Sequence, residues 1–258
     1  MKIHETAFLI STYRSYHEDI SKDIYAKLWN NPKTDILIPP MLEAISKEET
    51  LLHSLRNRFF YERMRSFFKK NGGGTLLNFG AGFSMYQFLL DDTVSTIEID
   101  KQDIIDYKKQ KVAAWIAQGK LPHREIQYSA IDFNQRTKKE ILENLRPLIK
   151  KTPIFILIEG VLFFLDKNTT NKLFEVFKDL QDQGDVIGSV SYLPEVENTE
   201  VYKRLLQYFD DNNSTNDSFS HQTISNVFYK NINGYLLKEH IDEFQLSKRA
   251  TTRIPHRV

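Results

Sequence analysis

The sequence predicts an α/β protein, a doubly wound and mostly parallel sheet behind a helical N-terminal segment. Three observations carry that prediction. Residues 1–70 show helical spacing of apolar side chains, and short apolar runs alternate with amphipathic segments from residue 75 onward. Gly72-Gly73-Gly74 marks the boundary between the two patterns. The 258 residues suffice to bury a full core.

In the first part, "YHEDISKDIYAKLWNN" places Ile20, Ile24 and Leu28 on one helical face. Pro39-Pro40 is expected to break the chain and to start a short helix at Met41. A longer helix is predicted from about Glu48 to Lys70, ended by the glycines. The predicted strands are Thr75–Phe79, Val94–Ile99, Ile126–Ser129, Ile154–Ile158, Val186–Val190 and Tyr235–His240. Helices are expected between them, at roughly 101–118, 138–150, 167–182, 197–209 and 220–231. "DDNNSTNDS", residues 210–218, reads as a polar loop. Residues 1–71 are expected to form a helical cap of the same domain as the α/β core, 72–258, with a substrate-side segment at about 191–231.

Charge and composition narrow the function. Thirty-five Lys and Arg against 34 Asp and Glu leave a net charge of +1, with no long basic block, so nucleic acid is not an expected partner. The chain has no cysteine, which excludes disulfides, thiolate metal sites and a cysteine nucleophile; no metal is expected. No apolar run approaches the ~20 residues needed to span a bilayer, and the charged N-terminus lacks a signal-peptide core. A soluble, cytoplasmic protein without membrane contact is the expectation.

The chemistry is expected at the carboxyl ends of the strands, where open α/β sheets bind their ligands. The first predicted strand ends in Gly80-Ala81-Gly82, the second in "IEID" with Glu98 and Asp100, and the fourth in "ILIEG" with Glu159. The third is followed by Asp132-Phe133. Glycine lets a backbone approach a ligand closely. An acid at the second strand end can accept from two ribose hydroxyls, and Asp100 follows Gly80 by close to the ~20 residues expected for that role. Asp132 is either a turn or capping residue or an acceptor from an exocyclic adenine amine, with Phe133 packing nearby. A Gly-x-Gly turn without a third glycine suits a nucleoside better than a dinucleotide. Glu159, beside a buried strand, needs a partner.

The preceding helix supplies a second clue. Leu52, Leu55, Phe59, Phe60, Met64, Phe67 and Phe68 form one apolar face, and Arg56 and Arg63 fall inside it. A guanidinium in an apolar stripe needs an anion. For Arg56 that anion is either a core carboxylate or a ligand carboxylate; for Arg63 the core carboxylate is expected.

These motifs resemble the leucine carboxyl methyltransferase family, which includes protein phosphatase methyltransferases and bacterial polyketide O-methyltransferases. "LLNFGAGFSMYQFLL" resembles its glycine turn, and "IEIDKQDIIDYKK" its second-strand acid-x-Asp followed by a helix with a lysine. "YSAIDFN" resembles its adenine-side Asp, and "LIEGVLFFLDKNTTNKLF" its Glu-Gly-x-Leu segment, the most specific match. "TYRSYHEDISKDIYAKLW" is similar to its N-terminal helical segment, so the resemblance covers roughly residues 5–190.

The resemblance implies a seven-stranded-type, Rossmann-like class I sheet. It also implies O-methyl transfer from S-adenosylmethionine (SAM), leaving S-adenosylhomocysteine. Carried over by position, Arg56 would bind the SAM carboxylate, Gly80 and Gly82 would pass beneath the methionine part, and Asp100 would hold the ribose. Asp132 and Phe133 would flank adenine, and Glu159 would face the amino group or the sulfonium. Two departures stand out. The family follows its glycine turn with Asp-Thr and often Arg, where this chain has Ser84-Met85-Tyr86. The family's second basic residue near the N-terminus has two candidates here, Lys2 and Arg14.

The expected acceptor is a carboxylate or hydroxyl of a small molecule. A protein C-terminal carboxylate is the alternative acceptor, and a non-catalytic nucleoside-binding module the alternative class. A carboxylate is already ionised at neutral pH and needs no general base, whereas a hydroxyl needs one. The catalytic candidates are His221, just after the polar loop, and Tyr192, just after a strand end.

Overall fold

The computed structural model describes residues 3–211 and 221–251. The N-terminal part is mostly helical, with α1 (Ile3–Tyr16), the short α2 (Glu18–Ser21), α3 (Pro32–Ala44) and the long α4 (Glu49–Asn71). The single face expected through Ile20, Ile24 and Leu28 does not form, because the helix stops at Ser21, Lys22 turns left-handed at φ 59° and Ile24 is exposed. Gly72 ends α4 in the left-handed conformation at φ 71°, and Gly73 donates its N–H to Phe68 O at 2.9 Å.

α3 corrects a second expectation, because it runs straight through Pro39 and Pro40. Pro32 stands at its start, and Asn31 closes a capping box with Thr34. Asp35 and Ile36, whose carbonyls lose their i+4 donors to the prolines, are exposed residues, as are Pro39 and Pro40. Ile38 and Met41 are buried on the opposite side with Leu9, Tyr13 and Phe209, and that packing offsets the cost of the rings.

The α/β part follows as β1 (Gly74–Phe79), α5 (Tyr86–Leu89), β2 (Val94–Asp100), α6 (Gln102–Ala117), β3 (Ile126–Ala130), α7 (Lys138–Leu145) and β4 (Ile154–Ile158). It continues with α8 (Lys167–Leu180), β5 (Val186–Ser189), α9 (Glu200–Asp211), α10 (Asn226–Lys230) and α11 (Glu243–Thr251). The five strands among the described residues, all parallel, lie in the order β3-β2-β1-β4-β5. β1 pairs with β2 on one side and β4 on the other, so the chain reverses its direction of winding there, at the switch point.

Strand alternation sends two sets of side chains to two helical layers. Leu77, Phe79, Ile97, Ile99, Ile156 and Ile158 pack with Leu145 of α7 and Leu173 and Phe177 of α8. Leu76, Phe155 and Leu157 pack against Phe60, Met64 and Phe68 of α4. The sheet is therefore doubly wound, as predicted.

The C-terminal third departs further from the sequence reading. Residues 235–240 form no strand: Leu236 is 82 % exposed, and Tyr235 donates its hydroxyl to Gln181 Oε1 at 2.8 Å. The helix expected at 220–231 shortens to α10, and the one expected at 138–150 ends at Leu145, before Pro147. α11 was not anticipated. Most of the polar stretch 210–218 lies outside the described residues, as does Lys2. No helix among the described residues is long and apolar enough to cross a membrane.

Candidate active site

Seven residues singled out by strand-end position or helix face line one cavity: Arg56, Gly80, Gly82, Asp100, Asp132, Phe133 and Glu159. It lies at the carboxyl ends of β1, β2 and β4, across the switch point. The turn after β1 explains its glycines. Gly80 has φ 68°, and a Cβ there would collide with Val161 Cγ2. Gly80→Ala is expected to cost about 2–5 kcal/mol, the sum of left-handed strain and overpacking. Urea unfolding reads this as a lower midpoint at unchanged slope. A midpoint equal to the wild type refutes it.

Asp100, at the end of β2, accepts from Gly82 N at 2.8 Å through Oδ2 and from Lys101 N at 2.7 Å through Oδ1. Burial raises its carboxyl above the ordinary carboxylate range, against the pull of those two N–H groups and of Lys108. Each oxygen keeps a lone pair for a further donor. Asp132 accepts from Asn134 N at 3.0 Å, which makes it a turn residue, and it also lines the cavity, 3.9 Å from Lys101 Nζ. Phe133 is buried against Phe79, with ring centroids 5.7 Å apart.

At the other end stands a charge cluster. Arg56 Nε donates to Glu159 Oε1 at 2.7 Å, and the Tyr86 hydroxyl donates to Glu159 Oε2 at 2.8 Å. The anion required by the apolar face of α4 is thus a protein carboxylate at the rim of the cavity. Burial opposes the charge on Glu159, but Arg56, Arg14 and the Tyr86 hydroxyl outweigh it and hold the carboxyl below the usual range. Arg63 also pairs with a carboxylate, though not a core one: Glu239 accepts from it at 2.7 and 2.8 Å on the surface.

Of the two N-terminal basic candidates, Arg14 lines the cavity. Its Nε donates to Asp23 Oδ2 at 3.0 Å and its NH2 group to Phe83 O at 3.1 Å, so α1 is tied to the glycine turn. Beneath that turn, fully buried Lys108 of α6 pairs with fully buried Glu98 of β2 and reaches Ala81 O at 3.4 Å. Asn78 bridges Glu98 at 3.2 Å and Ser84 at 2.9 Å.

Asp23, Tyr86 and Lys108 stand in stretches that the sequence reading quotes, but it gives none of them a partner or a role in the site. A signal existed for Lys108, which falls in the apolar row Ile104–Lys108–Val112 just as Arg56 falls in the row on α4. None existed for Asp23 as the partner of Arg14, or for Tyr86 as a partner of Glu159.

The two catalytic candidates are not among the residues that line the cavity. Tyr192 packs edge-on against Phe163 and Tyr202, and burial pushes its phenol up. His221 stacks on Phe163 at 4.5 Å, and burial lowers its imidazole. His221 sits behind Phe164 and Phe209, which do line the cavity, and Tyr192 lies close enough to Arg56 for the guanidinium to bear on its phenol. Among the described residues no group of three or more His, Asp or Glu side chains could hold a metal ion.

This sheet order with a glycine turn at the switch point is the architecture of class I methyltransferases, and two solved structures share the fold. One is a proposed methyltransferase of Thermobifida fusca YX, 12 % identical, with a TM-score of 0.57 over 80 % of this chain and 73 % of that one. The other is a DUF574 family protein of Streptomyces avermitilis MA-4680, 13 % identical, with a TM-score of 0.58 over 84 % and 80 %. The leucine carboxyl methyltransferase family model matches residues 22–178, and the chain belongs to that family. It is therefore an enzyme of the SAM-dependent methyltransferase class. A search of the curated proteins gives no match.

Proposed function

We propose that this protein transfers a methyl group from SAM to a carboxylate or hydroxyl oxygen of a small molecule. The observation that carries the reading is the complementarity of the cavity to an amino acid joined to a nucleoside. Two guanidiniums, Arg14 and Arg56, and one carboxylate, Glu159, stand at one end. Asp100, its oxygens oriented by two backbone N–H groups, stands at the other.

The donor set fits SAM. Arg14 and Arg56 would take its carboxylate, Glu159 its ammonium, and Asp100 its ribose hydroxyls. Gly80 and Gly82 would let the backbone pass close beneath it, with Asp132 and Phe133 beside adenine. Bound there, SAM supplies an electrophilic methyl on a sulfonium. The chain's contribution is to hold the acceptor oxygen in line with that methyl and to exclude water.

The acceptor would lie against Ile10 of α1, Phe164 and Leu165 after β4, and Phe209 of α9, an apolar wall sized for a small organic molecule. In this reading the helices of 1–71 and the segment about 191–231 form the acceptor side of a single domain, the core being 72–258. His221 would act on the acceptor only through Phe164 and Phe209 in front of it.

Calorimetric titration with SAM and S-adenosylhomocysteine tests the cofactor. Micromolar binding is expected, weakened tenfold or more, about 1.4 kcal/mol, by Asp100→Ala. Folded protein that binds neither compound overturns the reading. Mass spectrometry of products from a panel of acids and phenols then identifies the oxygen that is methylated.

A further inference from the structure

The residues after the glycine turn, Ser84-Met85-Tyr86, are where this chain departs from its family. Ser84 accepts from Asn78 and donates to Ala81 O at 2.9 Å, and Met85 is fully buried in the core. Tyr86 alone of the three bonds Glu159.

We propose that Tyr86 is a positioning residue for recognition of the cofactor's amino group: its hydroxyl fixes Glu159 so that one acceptor site on each carboxylate oxygen stays open to an ammonium. This rests on the cofactor assignment above and extends it to a residue outside the cavity wall.

A carboxylate offers about four acceptor sites, two on each oxygen. From the core side Arg56 fills one on Oε1 and Tyr86 one on Oε2. The two that remain belong to a residue that lines the cavity. Without the Tyr86 bond, Glu159 would be held through one oxygen and free to swing about it. The phenol is suited to this task. Burial, and after it the charge of Glu159, pushes it well above its ordinary range, so it remains a neutral donor at every physiological pH. A third cation beside Glu159 would compete with the ligand's ammonium; a neutral hydroxyl orders the carboxylate without doing so.

The other groups that bear on Glu159 are Arg14 on α1, and Arg56 and His53 on α4. Burial, followed by the charge of Arg56, lowers the His53 imidazole, against the pull of Glu49 3.4 Å away.

Tyr86→Phe keeps the ring and removes only the hydroxyl. Its affinity for S-adenosylhomocysteine is compared with that for 5′-methylthioadenosine, which lacks the amino-acid end, from about pH 3, below ordinary carboxylate values, to about pH 8. The expected result is about a tenfold loss for S-adenosylhomocysteine and no change for methylthioadenosine. The acid limb of S-adenosylhomocysteine binding should also move to higher pH. Glu159 must be ionised to hold an ammonium, and losing the Tyr86 bond lets its carboxyl rise.

Equal weakening of both ligands, or unchanged S-adenosylhomocysteine binding with an unmoved limb, overturns the proposal. If methylthioadenosine binds too weakly to measure, the limb decides alone. Wild-type protein that binds neither compound overturns the cofactor assignment, and this proposal with it.

Discussion

Lys108→Met is expected to lower the free energy of unfolding by about 3–5 kcal/mol, the usual cost of leaving a buried charge without its partner. Small domains have only about 5–15 kcal/mol to lose. Both Lys108 and Glu98 are fully buried, so no water compensates the carboxylate once the ammonium is gone. The second variant makes the test sharp. Glu98→Leu added to Lys108→Met removes the stranded charge and should recover most of the loss, because an apolar pair of similar volume is often no worse than a buried ion pair. Chemical denaturation of the two single variants and the double variant gives the coupling. Additive losses would show that the two side chains act separately and would sink the argument. Lys108 also reaches Ala81 O, so the same substitution loosens the floor of the glycine turn.

Arg56→Met is expected to weaken S-adenosylhomocysteine binding about a hundredfold, or ~2.7 kcal/mol. Two effects add. The variant removes a guanidinium from the cavity wall, and it takes from Glu159 the donor at 2.7 Å that helps keep it ionised. The consequence for stability has a definite sign. The folded-state carboxyl of Glu159 lies below its ordinary value, so its ionisation stabilises the fold above that ordinary value. This contribution fades as pH falls through the depressed one. Arg56→Met should therefore lose stability at neutral pH and show a smaller further loss on acidification than the wild type. A pH series of urea midpoints checks this; parallel curves for the two proteins would refute it.

The sequence disclosed what is written in short runs. β1 to β5 are legible because a buried parallel strand is a compact apolar run, and the acids at strand ends are legible because that sheet fixes where the ends converge. Arg56 is legible because a guanidinium in an apolar helical row must find an anion. Which anion is a different matter. Glu159 lies 103 residues away, and no local pattern joins them. The same holds for Tyr86 and Glu159, separated by 73 residues.

The failures have local causes as well. Pro39 and Pro40 read as a break because proline costs a helix about 3 kcal/mol. Tertiary burial of Ile38 and Met41 overrides that cost. Residues 235–240 alternate like a strand, yet a strand also needs a neighbour, which a sequence pattern does not supply. His221 stands out in the sequence only for its place in the chain, and the aromatic pair Phe164 and Phe209 between it and the cavity is a property of packing alone.

The first helix has a further consequence. Thr6, Ala7, Ile10 and Arg14 give α1 one wall of the cavity, and Arg14 fastens that wall to the glycine turn through Phe83 O. A molecule in the cavity therefore touches residues that precede the family-matched region as well as residues within it. Whatever free energy it gains from α1 also resists detachment of α1, since the wall cannot leave without surrendering those contacts. The affinity of the ligand and the local opening of the amino terminus are, in this fold, two readings of one linked equilibrium.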